Sequence, residues 1–353
     1  MILLGPGPVY VPEEIRREQN KEMITHRSGE FSELYKNLVE RLKGYLNAYE
    51  AHILTSSGTL GLEALILNIV KPDEKIICLT NGEFGNKLGK TAQIYANAQI
   101  HSIDAGTGWN LERAKKIIDE SNAAAIAMVY NETGYGVRNH VKEIIKYAKS
   151  KGMYTILDCI SAWPGTPMDM KEYGLDGFVT GSQKGPSCPP GLALIGLSRD
   201  ASERIASRDK IPSFYCDLRE YKKRYEKDFQ TPFTPAISLM WALRKSFDLL
   251  DKETIPKVIE RHKELSGYVR KRVSEIGFEL IPEPGFESYT VTAFKGGENP
   301  KEIRKKLKEE YGIIIVGCKG VYTETGLRIS NMGHVTKEML DKCLNALEKI
   351  KKG

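Results

Sequence analysis

The run Thr180-Gly181-Ser182-Gln183-Lys184-Gly185, continuing to Pro189-Pro190-Gly191, sets one lysine among small residues at the end of an apolar strand. A lysine forms a Schiff base only after its ammonium loses a proton, and a tight, partly desolvated pocket favours that loss. Taken alone, such a lysine reads better as a solvated turn residue. Asp158 ends a second apolar run, Tyr154-Thr155-Ile156-Leu157, and should be buried there. A buried carboxylate needs a partner, because an unpaired charge is costly. A protonated ring nitrogen, the N–H groups of the next loop and an arginine all satisfy it. Ser57-Gly58-Thr59 lies between a strand and a helix, where N–H groups, two hydroxyls and the helix dipole converge on a phosphate, or simply cap the helix.

The elements that must position these groups follow from periodicity. Phe31, Leu34, Tyr35, Leu38, Leu42 and Leu46 recur at helical spacing, and His52–Thr55 is strand-like. Strand-like runs recur at Lys75–Thr80, Ala98–Ile103, Ala124–Val129, Tyr154–Leu157, Gly177–Thr180 and Leu192–Leu197, with helical patterns such as Lys87–Ala96 and Val141–Lys151 between most of them. This alternation predicts an α/β fold with a mostly parallel sheet covered on both faces. Ligands bind such sheets at the carboxyl ends of the strands, where the candidate residues fall. The 26 residues separating Asp158 from Lys184 leave room for one more strand, so both belong at neighbouring strand ends. From Asp251 the pattern changes to a long charged helix (Ile255–Ile276), a strand near Tyr289–Phe294, a helix at Pro300–Tyr311, short strands at Ile313–Val316 and Gly326–Ile329, and a last helix, Lys337–Lys351. The expected organisation is an N-terminal segment at the site (1–14), a large domain (15–250) and a smaller α+β C-terminal domain (251–353).

Composition narrows the classes. A chain of 353 residues holds a substantial core, and its net charge of +6 is spread along the length rather than gathered into a nucleic-acid arm. The six cysteines show no CxxC and no paired spacing, which fits a reduced, cytoplasmic setting, and no metal site is read from the sequence. Gly5-Pro6-Gly7-Pro8 interrupts the opening Met-Ile-Leu-Leu before a signal-peptide core forms. No apolar run approaches the roughly 20 residues of a membrane span, so a soluble, unprocessed protein is expected.

Further motifs appear in order along nearly the whole chain: Leu4-Gly5-Pro6-Gly7-Pro8, His26-Arg27-Ser28, Gly82-Glu83-Phe84-Gly85, Asn131-Glu132-Thr133, Thr231-Pro232-Phe233-Thr234-Pro235 and Leu327-Arg328-Ile329-Ser330-Asn331-Met332-Gly333. With the lysine, aspartate and phosphate-loop motifs, they make the chain resemble the class V aminotransferases of the pyridoxal-phosphate-dependent transferase fold type I, specifically the alanine–glyoxylate/serine–pyruvate aminotransferase family. The resemblance implies pyridoxal 5'-phosphate held by Lys184 as a Schiff base, with Lys184 also shuttling the substrate proton. Asp158 would pair with the pyridine nitrogen, Ile160 and Phe84 would cover the two ring faces, and Thr133 would reach the phenolic oxygen. Ser57, Gly58, Thr59 and Gln183 would hold the phosphate, helped by Thr231 or Thr234 from the neighbouring subunit of a homodimer. Arg328 would hold the substrate carboxylate through two parallel bonds, which a lysine cannot offer. Gly5, Pro6 and Gly7 would bring backbone close to the substrate; His26 and Arg27 line the entrance or make surface pairs. The implied reaction is ping-pong transfer of an amino group from a small amino acid (alanine, serine or similar) to a 2-oxo acid such as glyoxylate or pyruvate.

Departures from the family pattern concern the substrate. Thr133-Gly134-Tyr135-Gly136 and Ile160-Ser161-Ala162-Trp163-Pro164-Gly165 place bulky Tyr135 and Trp163 near the expected pocket, which leaves open whether the donor is the usual alanine or serine. Rival readings are an aspartate or phosphoserine aminotransferase, a cysteine desulfurase-like lyase and a non-catalytic regulator that binds the cofactor. A desulfurase usually has His before the lysine, where Gln183 stands, and Cys318 reads as an ordinary small-domain residue. A phosphoserine enzyme would want extra basic residues, for which the sequence offers no clear set. Gly85-Asn86-Lys87-Leu88-Gly89-Lys90-Thr91 is one residue short of a nucleotide-binding P-loop.

Overall fold

The computed structural model describes residues 1–352. Its centre is a seven-stranded sheet in the order Glu50–Thr55, Leu192–Leu197, Gly177–Gly181, Tyr154–Asp158, Ala125–Val129, Lys75–Thr80 and Asn97–Ser102. Every pairing is parallel except those of Leu192–Leu197, which runs antiparallel to both neighbours. The central strands are mostly apolar because both faces are covered. Along Lys75–Thr80, Ile77 and Leu79 enter the core layer containing Trp109 and Phe178, whereas Ile76 and Cys78 enter the layer containing Leu65 and Ile195. This is the two-residue alternation of a pleated strand.

Helices form the two covers. The helix Gly29–Leu46 begins where the Ser28 hydroxyl accepts from Phe31 N–H at 3.2 Å, and ends at Asn47 in the left-handed conformation with φ 52°. Its apolar stripe, Phe31, Leu34, Tyr35, Leu38, Leu42 and Leu46, is buried as the spacing predicts. The helix Ile237–Glu253 crosses the boundary expected at residue 250.

Beyond it, the strands Val291–Lys295, Gly326–Ser330 and Val316–Gly317 form an antiparallel sheet. Its core joins Val269, Phe294, Leu327 and Leu344, and it includes Leu4 from the other end of the chain. Ile2–Leu3 pairs in parallel with Ile313–Ile314, an element the periodicity did not reveal. Leu4 continues this attachment: its N–H donates to Ile314 O at 2.9 Å and its carbonyl accepts from Ser330 N–H at 2.8 Å. Val9 N–H then donates to Gln183 O at 3.1 Å, so the N-terminal segment is tied at one end to the C-terminal sheet and at the other to the lysine loop.

Candidate active site

A cavity of about 310 Å³ opens at the carboxyl ends of the parallel strands. Of the residues singled out in the sequence, it brings together Gly7, Ser57, Gly58, Thr59, Phe84, Thr133, Asp158, Ile160, Gln183 and Lys184. Asp158 ends one strand, and Lys184 lies three residues past the adjacent strand, which closes at Gly181. Backbone approach on the N-terminal side is close: Lys184 Nζ donates to Pro6 O at 2.5 Å, and a Cβ on Gly7 would lie 2.5 Å from Nζ. Gly7 has φ +132°, so no other residue type fits there without strain.

Burial tunes both charged groups. It lowers the Lys184 ammonium to about 8; the Asp158 charge opposes this shift and the Arg328 charge adds to it. Burial raises the Asp158 carboxyl to about 6, against the Ile160 N–H bond at 2.8 Å and the charges of Lys184 and Lys87. The lysine is therefore easier to deprotonate, and the carboxyl gains from a buried cationic partner.

At Ser57-Gly58-Thr59, the helix Gly58–Ile69 begins without a side-chain cap from Ser57. Leu60 and Gly61 N–H return to Ser57 O, while those of Gly58 and Thr59 have no hydrogen-bond partner among the described residues. Gly58 is also a tight approach, since a Cβ there would stand 2.7 Å from Ile160 Cδ1. Gln183 also lines the cavity; its buried Oε1, an acceptor, has no hydrogen-bond partner among the described residues.

The sequence reading passed over several contributors. Asn131, Ser161 and Lys87 line the cavity. Thr133 Oγ1 is 2.5 Å from Ser161 Oγ, which also receives Asn131 Nδ2 at 3.1 Å. Glu132 is wholly buried, accepting Phe84 and Gly85 N–H on Oε2 at 3.1 and 3.0 Å, and Gly134 N–H on Oε1 at 2.9 Å. It thus caps the helix Glu83–Tyr95 from outside and fixes the turn carrying Phe84. Burial raises its carboxyl to about 7 despite those bonds. The pairing of a glutamate with a helix start that has no cap of its own was the available signal.

Other expected residues stand apart from the cavity lining. Arg328 is buried behind Thr133, with Nη1 donating to Thr133 O at 2.8 Å and Nε to Gly317 O at 2.9 Å; its other amino group has no hydrogen bond among the described residues. Pro6 meets the site only through its carbonyl, and Gly5 packs 3.4 Å from Val316, measured from an added Cβ. Thr231 is buried and donates to Phe233 O at 2.7 Å, Thr234 is exposed, and neither lines this chain's cavity. Arg27 holds that loop, donating to Thr231 O at 2.7 Å and Pro232 O at 3.0 Å.

Tyr135 and Trp163 correct the sequence reading. Trp163 is a core residue against Tyr45 and Phe178, and Tyr135 packs with Val137, Ile281 and Phe286. Neither lines the cavity, because each side chain turns into an apolar layer instead.

This architecture is the pyridoxal-phosphate-dependent transferase fold of type I. The class V aminotransferase pattern matches residues 14–342, and the chain belongs to that family. An uncharacterised aminotransferase of Methanocaldococcus jannaschii is 33% identical over 94% of this chain and 88% of its own length. A serine–glyoxylate aminotransferase of Arabidopsis thaliana is 29% identical, covering 99% and 90%. The crystal structure of an alanine–glyoxylate aminotransferase from Nostoc sp. superimposes with a TM-score of 0.95 at 26% identity, covering 99% of this chain and 94% of that one. Membership implies pyridoxal 5'-phosphate as cofactor. The cavity fits it: a lysine with a lowered ammonium, a carboxylate needing a cation, and unpaired phosphate donors beside a glycine that leaves no room for a side chain. No helix among the described residues is long and apolar enough to cross a membrane.

Proposed function

We propose that this protein transfers the amino group of a small amino acid, alanine, serine or similar, to a 2-oxo acid such as glyoxylate or pyruvate, in two half-reactions sharing one site. The observation that carries the reading is the convergence of Lys184, Asp158 and the Ser57–Thr59 donors in one cavity, with Arg328 one hydrogen bond behind Thr133. The names of the Arabidopsis and Nostoc relatives support the choice of substrates.

Bound pyridoxal phosphate supplies an electrophilic carbon and an electron sink for the substrate carbanion. Lys184 would hold the cofactor at that carbon and, as a free amine, would move the proton at the substrate Cα. The lowered ammonium leaves part of it neutral near pH 7–8, as general base catalysis requires. Asp158 would hold positive charge at the ring nitrogen, Ile160 and Phe84 would cover the ring, and Thr133 would bind its phenolic oxygen; all four line the cavity. Arg328 would bind the substrate carboxylate, while Gly5, Pro6 and Gly7 would bring backbone close to the substrate beside Lys184. Thr231 and Thr234 complete the phosphate site of the neighbouring subunit in a homodimer. This is consistent with an exposed aromatic patch beside that loop, where Phe214, 83% exposed, packs at 5.3 Å from Phe233.

Mixing the holoenzyme with each amino acid and following the visible band tests the reading. The band should convert with small donors and return with glyoxylate or pyruvate. Sulfide release from cysteine without conversion would support the lyase instead.

A further inference from the structure

Lys87 is the one cavity-lining cation that the roles above leave unused. It sits one turn beyond Phe84 on the helix Glu83–Tyr95, on the same helical face. Its Nζ donates to Thr59 Oγ1 at 3.1 Å, directly over the start of the helix Gly58–Ile69. Lys87 makes no ion pair among the described residues, although it is exposed and free to find one. The groups around it are donors in waiting: the Ser57 and Thr59 hydroxyls and the unpartnered N–H groups of Gly58 and Thr59. All of these are neutral.

A phosphate monoester carries about −1.5 to −2 charges at pH 7, and neutral donors alone balance it poorly in a partly desolvated cavity. The other two cations are committed. Lys184 gives its nitrogen to the cofactor's carbonyl carbon, and Arg328 is tied to Thr133 and Gly317. We propose that Lys87 supplies the positive charge that holds the cofactor's phosphate, as a binding residue additional to Ser57, Gly58, Thr59 and Gln183. The inference rests on reading this cavity as the pyridoxal phosphate site.

A second cavity, of about 600 Å³, adjoins the first through Phe84 and Lys87 and is lined also by Glu83, Lys90 and Lys319. It gives the experiment its contrast, since Lys87 could instead serve a distal anion of a substrate. Cofactor-free wild type, Lys87→Met and Lys87→Arg are titrated with pyridoxal 5'-phosphate and with pyridoxal, following the absorbance band, and thermal shift with inorganic phosphate gives a readout independent of Lys184 chemistry. Lys87→Met should weaken pyridoxal phosphate binding roughly ten- to a hundredfold, the range for a hydrogen bond to a charged group. It should leave pyridoxal binding unchanged and abolish the thermal shift with phosphate, while Lys87→Arg retains most of both. Equal losses for the two aldehydes, or unchanged cofactor binding with a raised KM for dianionic substrates, would overturn the role of Lys87 alone. A wild type that binds neither aldehyde would overturn the site reading together with it.

Discussion

The floor and the roof of the cavity are built differently. The floor is local to one sheet: Asp158 and Lys184 stand at the ends of adjacent strands, and Ile160 follows two residues after Asp158. The roof is assembled from remote segments. Pro6 and Gly7 arrive through the pairing of Ile2–Leu3 with Ile313–Ile314, and Arg328 reaches Thr133 across 195 positions. The floor therefore inherits the rigidity of the sheet core, whereas the roof depends on how the N-terminal segment and the C-terminal sheet are held together. Chemistry common to many donors suits the floor; discrimination among substrates suits the roof.

That contrast can be broken at the floor first. Lys184→Ala should lower turnover by roughly 10³-fold or more, the scale of losing a general base that is also the covalent anchor, as measured by steady-state rates with alanine and glyoxylate. At the roof, Arg328→Lys should reduce kcat/KM for amino acids by roughly a hundredfold, since a lysine cannot keep both backbone bonds and still offer the remaining amino group to a carboxylate. Cofactor affinity, read by absorbance titration, should stay nearly constant. Equal damage to both quantities would mean that floor and roof are not separable.

Gly7→Ala probes the junction itself. The new Cβ would meet Lys184 Nζ at 2.5 Å in a backbone conformation L residues resist, so the N-terminal segment must lift. A stability loss of about 1–3 kcal/mol is expected in denaturant unfolding, with slower attachment of the cofactor.

A smaller effect concerns pH. Lys184 titrates at about 8 in the folded cofactor-free protein against 10.5 when unfolded. Between those values the unfolded chain binds more protons at this side chain, so the Lys184 contribution to stability rises with pH across that window. In thermal unfolding of the cofactor-free proteins, the stability of wild type relative to Lys184→Met should therefore rise from pH 8 towards 10.5. Smallest of all should be the change in substrate choice for Trp163→Phe. Its side chain lies in the core with Tyr45 and Phe178, so stability falls while the ratio of alanine to serine rates holds.

Much of this was legible in sequence where a residue's own element carries it. The apolar runs ending at Asp158 and before Lys184 place both groups without long-range information, and the strand Leu192–Leu197 matches its apolar run residue for residue. What could not be read required knowing where a side chain points or which remote backbone it meets. Trp163 follows Asp158 by only five positions, yet its ring faces the opposite layer from the cavity. Ile2–Leu3 is too short to show a period, and its partner lies more than 300 residues away. Glu132 was visible in a motif, but its work of capping the Phe84 helix depends on a turn brought alongside by the sheet. Lys87 lies inside a run that falls one residue short of a P-loop, and its contact with Thr59, on another helix, leaves no mark in the sequence.

The central claim is that Lys184 is the residue that carries the cofactor. Reduction of the holoenzyme with borohydride, followed by proteolysis and peptide mass mapping, tests it most directly. A pyridoxyl phosphate mass on Lys184 alone, absent when alanine is added before the reductant, is the result this account predicts; label on Lys87 or another lysine, or label on Lys184 that no amino acid displaces, would contradict it.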